Sequence, residues 1–162
     1  MIKFKCISFD QLTLRELYDL LALRNEVFVV EQNCPFQDAD GQDFLAWHCL
    51  GTNETGELLA YTRLFDENIS YEGYTSIGRV VTSPKARGAG AGRDLMQVSI
   101  DYCAQLFGQK PIKIGAQVYL LKFYESLGFV ATGEEYLEDG IPHVSMVKAV
   151  KSNPKPTTGT EK

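Results

Sequence analysis

The sequence predicts a mixed α/β (α+β) domain, and three observations carry that prediction. Apolar residues alternate in some stretches and recur every three or four positions in others, so strands and helices are interleaved along the chain. A glycine-rich run, Gly88 to Gly92, follows one such strand and opens a helix. The length of 162 residues, with 44% hydrophobic and 23% charged, suits one core of moderate size.

Residues 2–9 open the chain as a strand, with Ile2, Phe4, Cys6 and Ile7 as its apolar groups. Helical spacing follows at Leu14, Leu17, Leu20, Leu21, Leu23, Val27 and Phe28. Thr13 is placed to cap this helix, with Glu16 completing a capping box. The stretch from Val29 to Pro35 is irregular, and Asp38, Asp40, Gly41 and Asp43 form an acidic loop. Two strands are expected at 46–52 and 57–65, joined by Asn53-Glu54-Thr55-Gly56, and residues 66–74 make a polar connection. Residues 75–82 form the next strand, which Pro84 stops. The helix after the glycines carries Leu95, Met96, Val98, Ser99, Ile100, Cys103, Leu106 and Phe107. A short strand at 111–116 precedes a helix at 120–127, which Gly128 can end in a left-handed conformation. Strands at 129–137 and 143–150 finish the domain, assigned to residues 1–150. The polar tail, 151–162, with Pro154 and Pro156, has too little apolar surface to demand a fold and is expected to be flexible.

Composition removes several classes of function. A net charge of -5, from 16 basic and 21 acidic residues, argues against a broad nucleic-acid footprint. The apolar runs fall far short of the ~20 residues that span a bilayer. Residues 1–9 lack the pattern of a signal peptide, so cytoplasmic residence is the default expectation. The four cysteines (Cys6, Cys34, Cys49, Cys103) are scattered, and no Cys/His cluster has zinc-ligand spacing, so no metal is expected.

The glycine-rich turn is the strongest signal. Gly88, Gly90 and Gly92 reach backbone angles closed to other residues and leave room for a phosphate. The N–H groups of the helix start would point at such an anion, with Lys85, Arg87 and Arg93 as nearby cations. A merely flexible basic loop is the alternative. The run lacks the ending of a P-loop, and neither its spacing nor its place after several strands fits a dinucleotide-binding fold.

With its flanks, Val80-Val81-Thr82-Ser83-Pro84-Lys85-Ala86-Arg87-Gly88-Ala89-Gly90-Ala91-Gly92-Arg93 resembles the acetyl-coenzyme A signature of the GCN5-related N-acetyltransferase (GNAT) superfamily. Arg87, Gly90 and Gly92 match its Arg/Gln-x-x-Gly-x-Gly/Ala core, and Phe123-Tyr124-Glu125-Ser126-Leu127-Gly128-Phe129 is a second match downstream. The stretch from Arg24 to Pro35, Trp47-His48, Ala116-Gln117 and Asp139-Gly140-Ile141-Pro142-His143 are similar to the ElaA-like branch. The resemblance implies a mixed central sheet with splayed middle strands and flanking helices. It implies acetyl-CoA as acyl donor. Its pyrophosphate would lie on Arg87, Gly88, Ala89, Gly90, Ala91, Gly92 and Arg93, and its pantetheine arm beside Val80, Val81 and Thr82.

The resemblance further implies direct transfer to a primary amine, with Tyr124 near the coenzyme sulfur as general acid. The residues alone leave Tyr124 equally able to pack in an amphipathic helix. Glu31, His48 and His143 are the candidate bases, and a water chain is the alternative. His48, beside Trp47, reads equally as a hydrogen-bonded core histidine. Arg24, Phe28, Glu31, Trp47, His48, Arg79 and His143 make up the candidate acceptor side. The aspartates of the acidic loop can recruit a cationic acceptor, anchor the loop through Arg24, Arg63 or Arg79, or face water. Two alternatives stand beside acetyl transfer: a non-catalytic acyl-CoA-binding module, and an enzyme like the acyl-homoserine lactone synthases, which the N-terminal half also resembles. The acceptor, a small molecule or a protein amine, is not fixed by any motif, and neither is a homodimer.

Overall fold

A computed structural model describes residues 1–150. The predicted strands and helices fall close to their expected places. They are β1 (Lys3–Ser8), α1 (Leu14–Arg24), β2 (Trp47–Thr52), β3 (Leu58–Phe65), β4 (Thr75–Thr82), α2 (Ala91–Phe107), β5 (Ile112–Gln117), α3 (Leu121–Glu125), β6 (Val130–Glu138) and β7 (Ile141–Lys148). The expectation for 151–162 lies outside the described residues. At the start of α1 the capping box forms as the sequence predicts: Glu16 N–H donates to Thr13 Oγ1 at 3.0 Å, and Thr13 N–H donates to Glu16 Oε1 at 2.9 Å. Gly128, with φ of 98°, follows α3 in the left-handed region.

Three boundaries differ from the expectation. Beyond Arg24 the chain winds as a π-helix, Asn25–Glu31, with Cys34 N–H reaching back to Val29 O at 3.0 Å. The wider turn carries an extra residue and brings Phe28, Val29 and Gln32 to one cavity wall. The helix expected at 120–127 is shorter at both ends: the tight turn Val118–Leu120 takes its first residue, and past Glu125 the N–H groups of Leu127 and Gly128 bond only three residues back, to Tyr124 O and Glu125 O, both at 3.0 Å. Strand β7 starts earlier than expected, at Ile141, and so contains Pro142. The proline is tolerated because β5 pairs with β7 only from His143 onward, so no neighbour on that side asks Pro142 for an N–H.

All seven strands form one sheet in the order β1-β2-β3-β4-β5-β7-β6. Strand alternation assigns its two faces. Tyr61 and Val81 pack with Leu20 and Leu23 of α1 and Val27 of the π-helical turn, whereas Ala60 of the neighbouring position packs with Leu95 of α2. Helices α1 and α2 therefore cover opposite faces of the β3–β4 pair. Helix α3 joins the α2 side, where Tyr124 and Leu127 pack with Met96, Ile114 and Met146.

Among the described residues only one strand pair is parallel, and it parts almost at once. Strands β4 and β5 pair at Thr75↔Ile112 and Ser76↔Lys113, and no further along. Beyond Ser76, β4 is also bulged: Tyr61 pairs with Val81 but Arg63 with Gly78, so Arg79 and Val80 together face Thr62. Arg79 takes φ of 49°, an unusual conformation for a residue with a Cβ.

What holds Arg79 there is a closed ring of three arginines and three aspartates. Arg24 Nε donates to Asp38 Oδ2 at 2.6 Å, and Arg79 Nε donates to Asp38 Oδ1 at 2.8 Å. Arg79 Nη2 reaches Asp40 Oδ2 at 3.4 Å, and Arg63 Nη1 and Nη2 reach the two Asp40 oxygens at 2.9 and 3.0 Å. Asp43 Oδ1 closes the circuit, accepting from Arg63 Nη1 at 3.0 Å and Arg24 Nη1 at 2.8 Å. Arg24 is 0% exposed, which is sustainable only because every charge has an opposite neighbour. Of the readings the sequence left open for the acidic loop, the geometry selects the anchor.

The ring sets two expectations. Arg24→Leu strands Asp38 and Asp43 without their buried partner and should cost about 3–5 kcal/mol in urea denaturation. Arg15→Ala removes an exposed ion pair to Asp19 one helical turn away and should change stability by less than ~0.5 kcal/mol. Acid provides the second check. Burial works to raise the Asp40 carboxyl, but the hydrogen bond from Arg63 and the surrounding charges override it and hold it at about 2. Asp43 is likewise held low against its burial, by Arg24 and Arg63. A depressed carboxylate contributes stability that is present above its ordinary pKa and is lost as pH falls through the folded value. The urea midpoint should therefore lose this contribution as pH falls from about 4 toward 2, and in an Asp40→Asn variant that part of the loss should be smaller.

Candidate functional site

Where β4 and β5 separate they leave a cleft of about 150 Å³. Ile77 to Val80 form one wall, and Ile114, Gly115 and Gln117 the other. The π-helical turn contributes Phe28, Val29 and Gln32, and the β6–β7 hairpin contributes Glu138, Asp139 and Ile141. These last two segments touch: Cys34 Sγ lies 3.3 Å from the Asp139 carbonyl and donates to it.

Tyr124 and His143 both face this cleft. Tyr124 is only 5% exposed, and its hydroxyl makes no hydrogen bond among the described residues, yet it is not sealed from solvent. Burial, with Tyr119 nearby, pushes its pKa up to about 12, so the hydroxyl keeps its proton through the neutral range. His143, 6% exposed, places Nδ1 2.7 Å from the Ile141 carbonyl. A carbonyl only accepts, so Nδ1 carries the proton, and in the neutral ring Nε2 keeps its lone pair. Glu138 Oε2 lies 3.8 Å from Nε2, beyond hydrogen-bond reach, and Tyr136 stacks on the ring at 5.8 Å.

The glycine-rich turn meets two physical tests for an acyl-CoA pyrophosphate. Gly88 and Gly90 have φ of 89° and 78°, and a Cβ on Gly88, Gly90 or Gly92 would meet nothing within 4 Å. The space in front of the turn is thus open, and the N–H groups of Gly88, Ala89 and Gly90 donate to no backbone carbonyl among the described residues. The nearby cations differ. Lys85 is paired with Glu57 at 2.6 Å and Arg87 with Glu31 at 2.5 Å, whereas Arg93 bonds Ser126 Oγ at 2.9 Å and lies in no ion pair among the described residues. The turn and Arg93 therefore fit a polyanion. Val80 lines the cleft, the Val81 side chain points into the α1 cluster, and the Thr82 carbonyl accepts from Arg87 Nη2 at 3.3 Å.

Four of the candidate residues do not face the cleft. His48 is 0% exposed; its Nε2 donates to the Asp43 carbonyl at 3.0 Å, and its Nδ1 accepts from the Tyr61 hydroxyl at 2.6 Å. Burial lowers its pKa, and neither nitrogen is left for a substrate. Glu31 is exposed and spent on Arg87, whose hydrogen bond holds its carboxyl below its ordinary value. Arg24 is closed within the charge ring, and Trp47 packs against the main core. Phe28, Arg79 and His143 do line the cleft, although Arg79 is committed to Asp38 and Asp40. Gln32, Cys34, Gly115 and Glu138 belong to the cleft and were not singled out from the sequence. Gly115 has a steric reason: a Cβ there would sit 2.5 Å from the Tyr136 hydroxyl. No sequence period marks such a position, because its neighbour comes from another strand.

Comparison with known proteins agrees with this geometry. The family model described as an acetyltransferase (GNAT) domain matches residues 39–150. Protein ElaA of Escherichia coli is 42% identical over 152 residues, covering 93% of this chain and 98% of ElaA. The crystal structure of an acyl-CoA N-acyltransferase from Pseudomonas aeruginosa superposes with a TM-score of 0.86 at 44% identity, covering 92% of this chain and all of that one. The structure of E. coli ElaA gives 0.84 at 41% identity, with coverage of 91% and 99%. The parted parallel strands, the open glycine turn and these similarities lead to one conclusion: the chain belongs to the GNAT acetyltransferase family, close to ElaA.

Proposed function

We propose that this protein transfers an acetyl group from acetyl-CoA to a primary amine, with Tyr124 as the proton donor and His143 as the proton acceptor. The observation that carries the reading is that one cleft, opened by the parting of β4 and β5, is lined by both Tyr124, whose hydroxyl has no partner among the described residues, and His143, whose Nε2 keeps a lone pair. Acetyl-CoA, as co-substrate, supplies the acetyl group and departs as the free thiol.

The chain's own residues then have separate tasks. The turn from Arg87 to Gly92, with Arg93, holds the pyrophosphate through N–H groups and one unpaired cation. The bulge at Arg79 and Val80 turns β4 main-chain groups away from β5, which leaves them available to the donor's arm. His143 Nε2 takes a proton from the incoming ammonium, directly or through water, and so makes the nitrogen a nucleophile. Tyr124 Oη gives its proton where the thiolate develops and recovers one from the acylated nitrogen. The balance is one ammonium consumed, with one amide, one thiol and one proton released.

Incubation with acetyl-CoA and pooled amines, following released thiol and mass-shifted product together, tests the activity; absence of both acetyl-CoA binding and thiol release would overturn it. Tyr124→Phe should lower kcat by roughly 10²–10⁴ while leaving acetyl-CoA affinity nearly unchanged by calorimetry. In the parent protein, the raised pKa of Tyr124 should keep kcat free of any tyrosine-linked loss up to about pH 10. His143→Gln removes the Nε2 lone pair and should lower kcat by roughly 10²–10⁴ while leaving acetyl-CoA affinity nearly unchanged. Gly90→Ala forces a Cβ into the left-handed region and should weaken acetyl-CoA binding roughly tenfold, with little effect on the cleft residues.

A further inference from the structure

The charges of the cleft do not cancel, and the excess has a sign. Its charged lining comprises Arg79, Asp38, Glu138 and Asp139. Arg79 and Asp38 are neutralised inside the ring of three arginines and three aspartates. Glu138 and Asp139 remain, both exposed, with no lysine or arginine within 4 Å among the described residues. A second, independent feature marks this space as a binding site. The Tyr124 side chain is 5% exposed and lines the same cleft, and its hydroxyl has no hydrogen-bond partner among the described residues. Phe28, Ile77, Ile114 and Ile141 give the same cleft an apolar wall, beside the amides of Gln32, Gln37 and Gln117.

We propose that the acceptor is a small molecule with two cationic nitrogens joined by a methylene chain, one to be acetylated and the other held by Glu138 and Asp139. This rests on the acetyl-transfer reading of the same cleft. The apolar walls suit the methylenes, and the uncompensated carboxylates suit the second ammonium, which a neutral amine lacks. The contact between Cys34 and the Asp139 carbonyl bridges the cleft, which favours a short free diamine over an amine carried on a folded protein.

Equilibrium binding tests the assignment without relying on turnover. The full chain is titrated with 1,5-diaminopentane and with n-pentylamine, in the presence and absence of coenzyme A, and thiol release from acetyl-CoA is followed separately. The diamine should bind more tightly by roughly tenfold to a hundredfold, the size of a hydrogen bond between charged groups. The double variant Glu138→Gln with Asp139→Asn should bring the two ligands to near parity while acetyl-CoA binding is retained. Both substitutions keep the side-chain size, and asparagine tolerates the φ of 52° at position 139. Equal binding of the two amines by the parent, or a preference that survives the double variant, would overturn the proposal. Thiol release without any diamine preference would leave acetyl transfer standing and reject the diamine. A diamine preference that depends on the two carboxylates, without thiol release from any amine, would support the site and reject the transfer. An acetylated folded protein, with no preference for free diamine, would also count against the assignment.

Discussion

Burying Arg24 obliges the protein to surround it with carboxylates, and the rest of the site depends on how that is done. A guanidinium with no exposed surface is tolerable only when its charge is matched and its donors are used. Asp38 and Asp43 match it from a loop with little regular structure. Each then needs a second cation for its remaining capacity, which Arg79 and Arg63 provide, and Asp40 links those two. The alternating circuit joins the end of α1, the middle of β3, the bulge of β4 and the intervening loop. It turns four separately placed segments into one rigid wall.

That rigidity bears directly on the cleft. A parallel pair such as β4 and β5 would ordinarily zip along its whole length and leave no room between strands. Here the pairing stops after Ser76 and Lys113, and the bulge holding Arg79 lies just beyond. The ion pairs offset the conformational cost of a left-handed arginine, a cost of order 1–3 kcal/mol for such backbone. The ring thus borders the opening in the middle of the sheet, where Arg79 and Asp38 belong both to the circuit and to the cleft lining.

The two histidines show how tertiary surroundings divide identical chemistry. Both lie in strands, both are buried, and both use a ring nitrogen on a backbone carbonyl. His48 spends its other nitrogen on Tyr61, within the layer that supports the ring. His143, which lines the cleft, leaves its second nitrogen without a hydrogen bond among the described residues. The difference is not visible in the residues beside them, because the partner that decides it for His48, Tyr61, comes from another strand.

The sequence by itself determined the order of strands and helices, the capped start of α1, the left-handed glycine after α3 and the glycine turn opening α2. These are local matters of periodicity, capping and backbone freedom within a few residues. The same text held the two motifs that mark the family, since Arg87 to Gly92 and Phe123 to Phe129 are each contiguous. Tertiary structure alone decided which charged groups are spent and which remain. Glu31 and Arg87 are 56 positions apart, and Arg24 and Asp43 are 19, so no spacing rule could pair them. It also decided that β4 and β5 part company, since pairing between strands depends on register across the sheet and on a bulge fixed by distant aspartates. A glycine turn can be written in six consecutive residues, whereas a cleft exists only once its walls have been brought together.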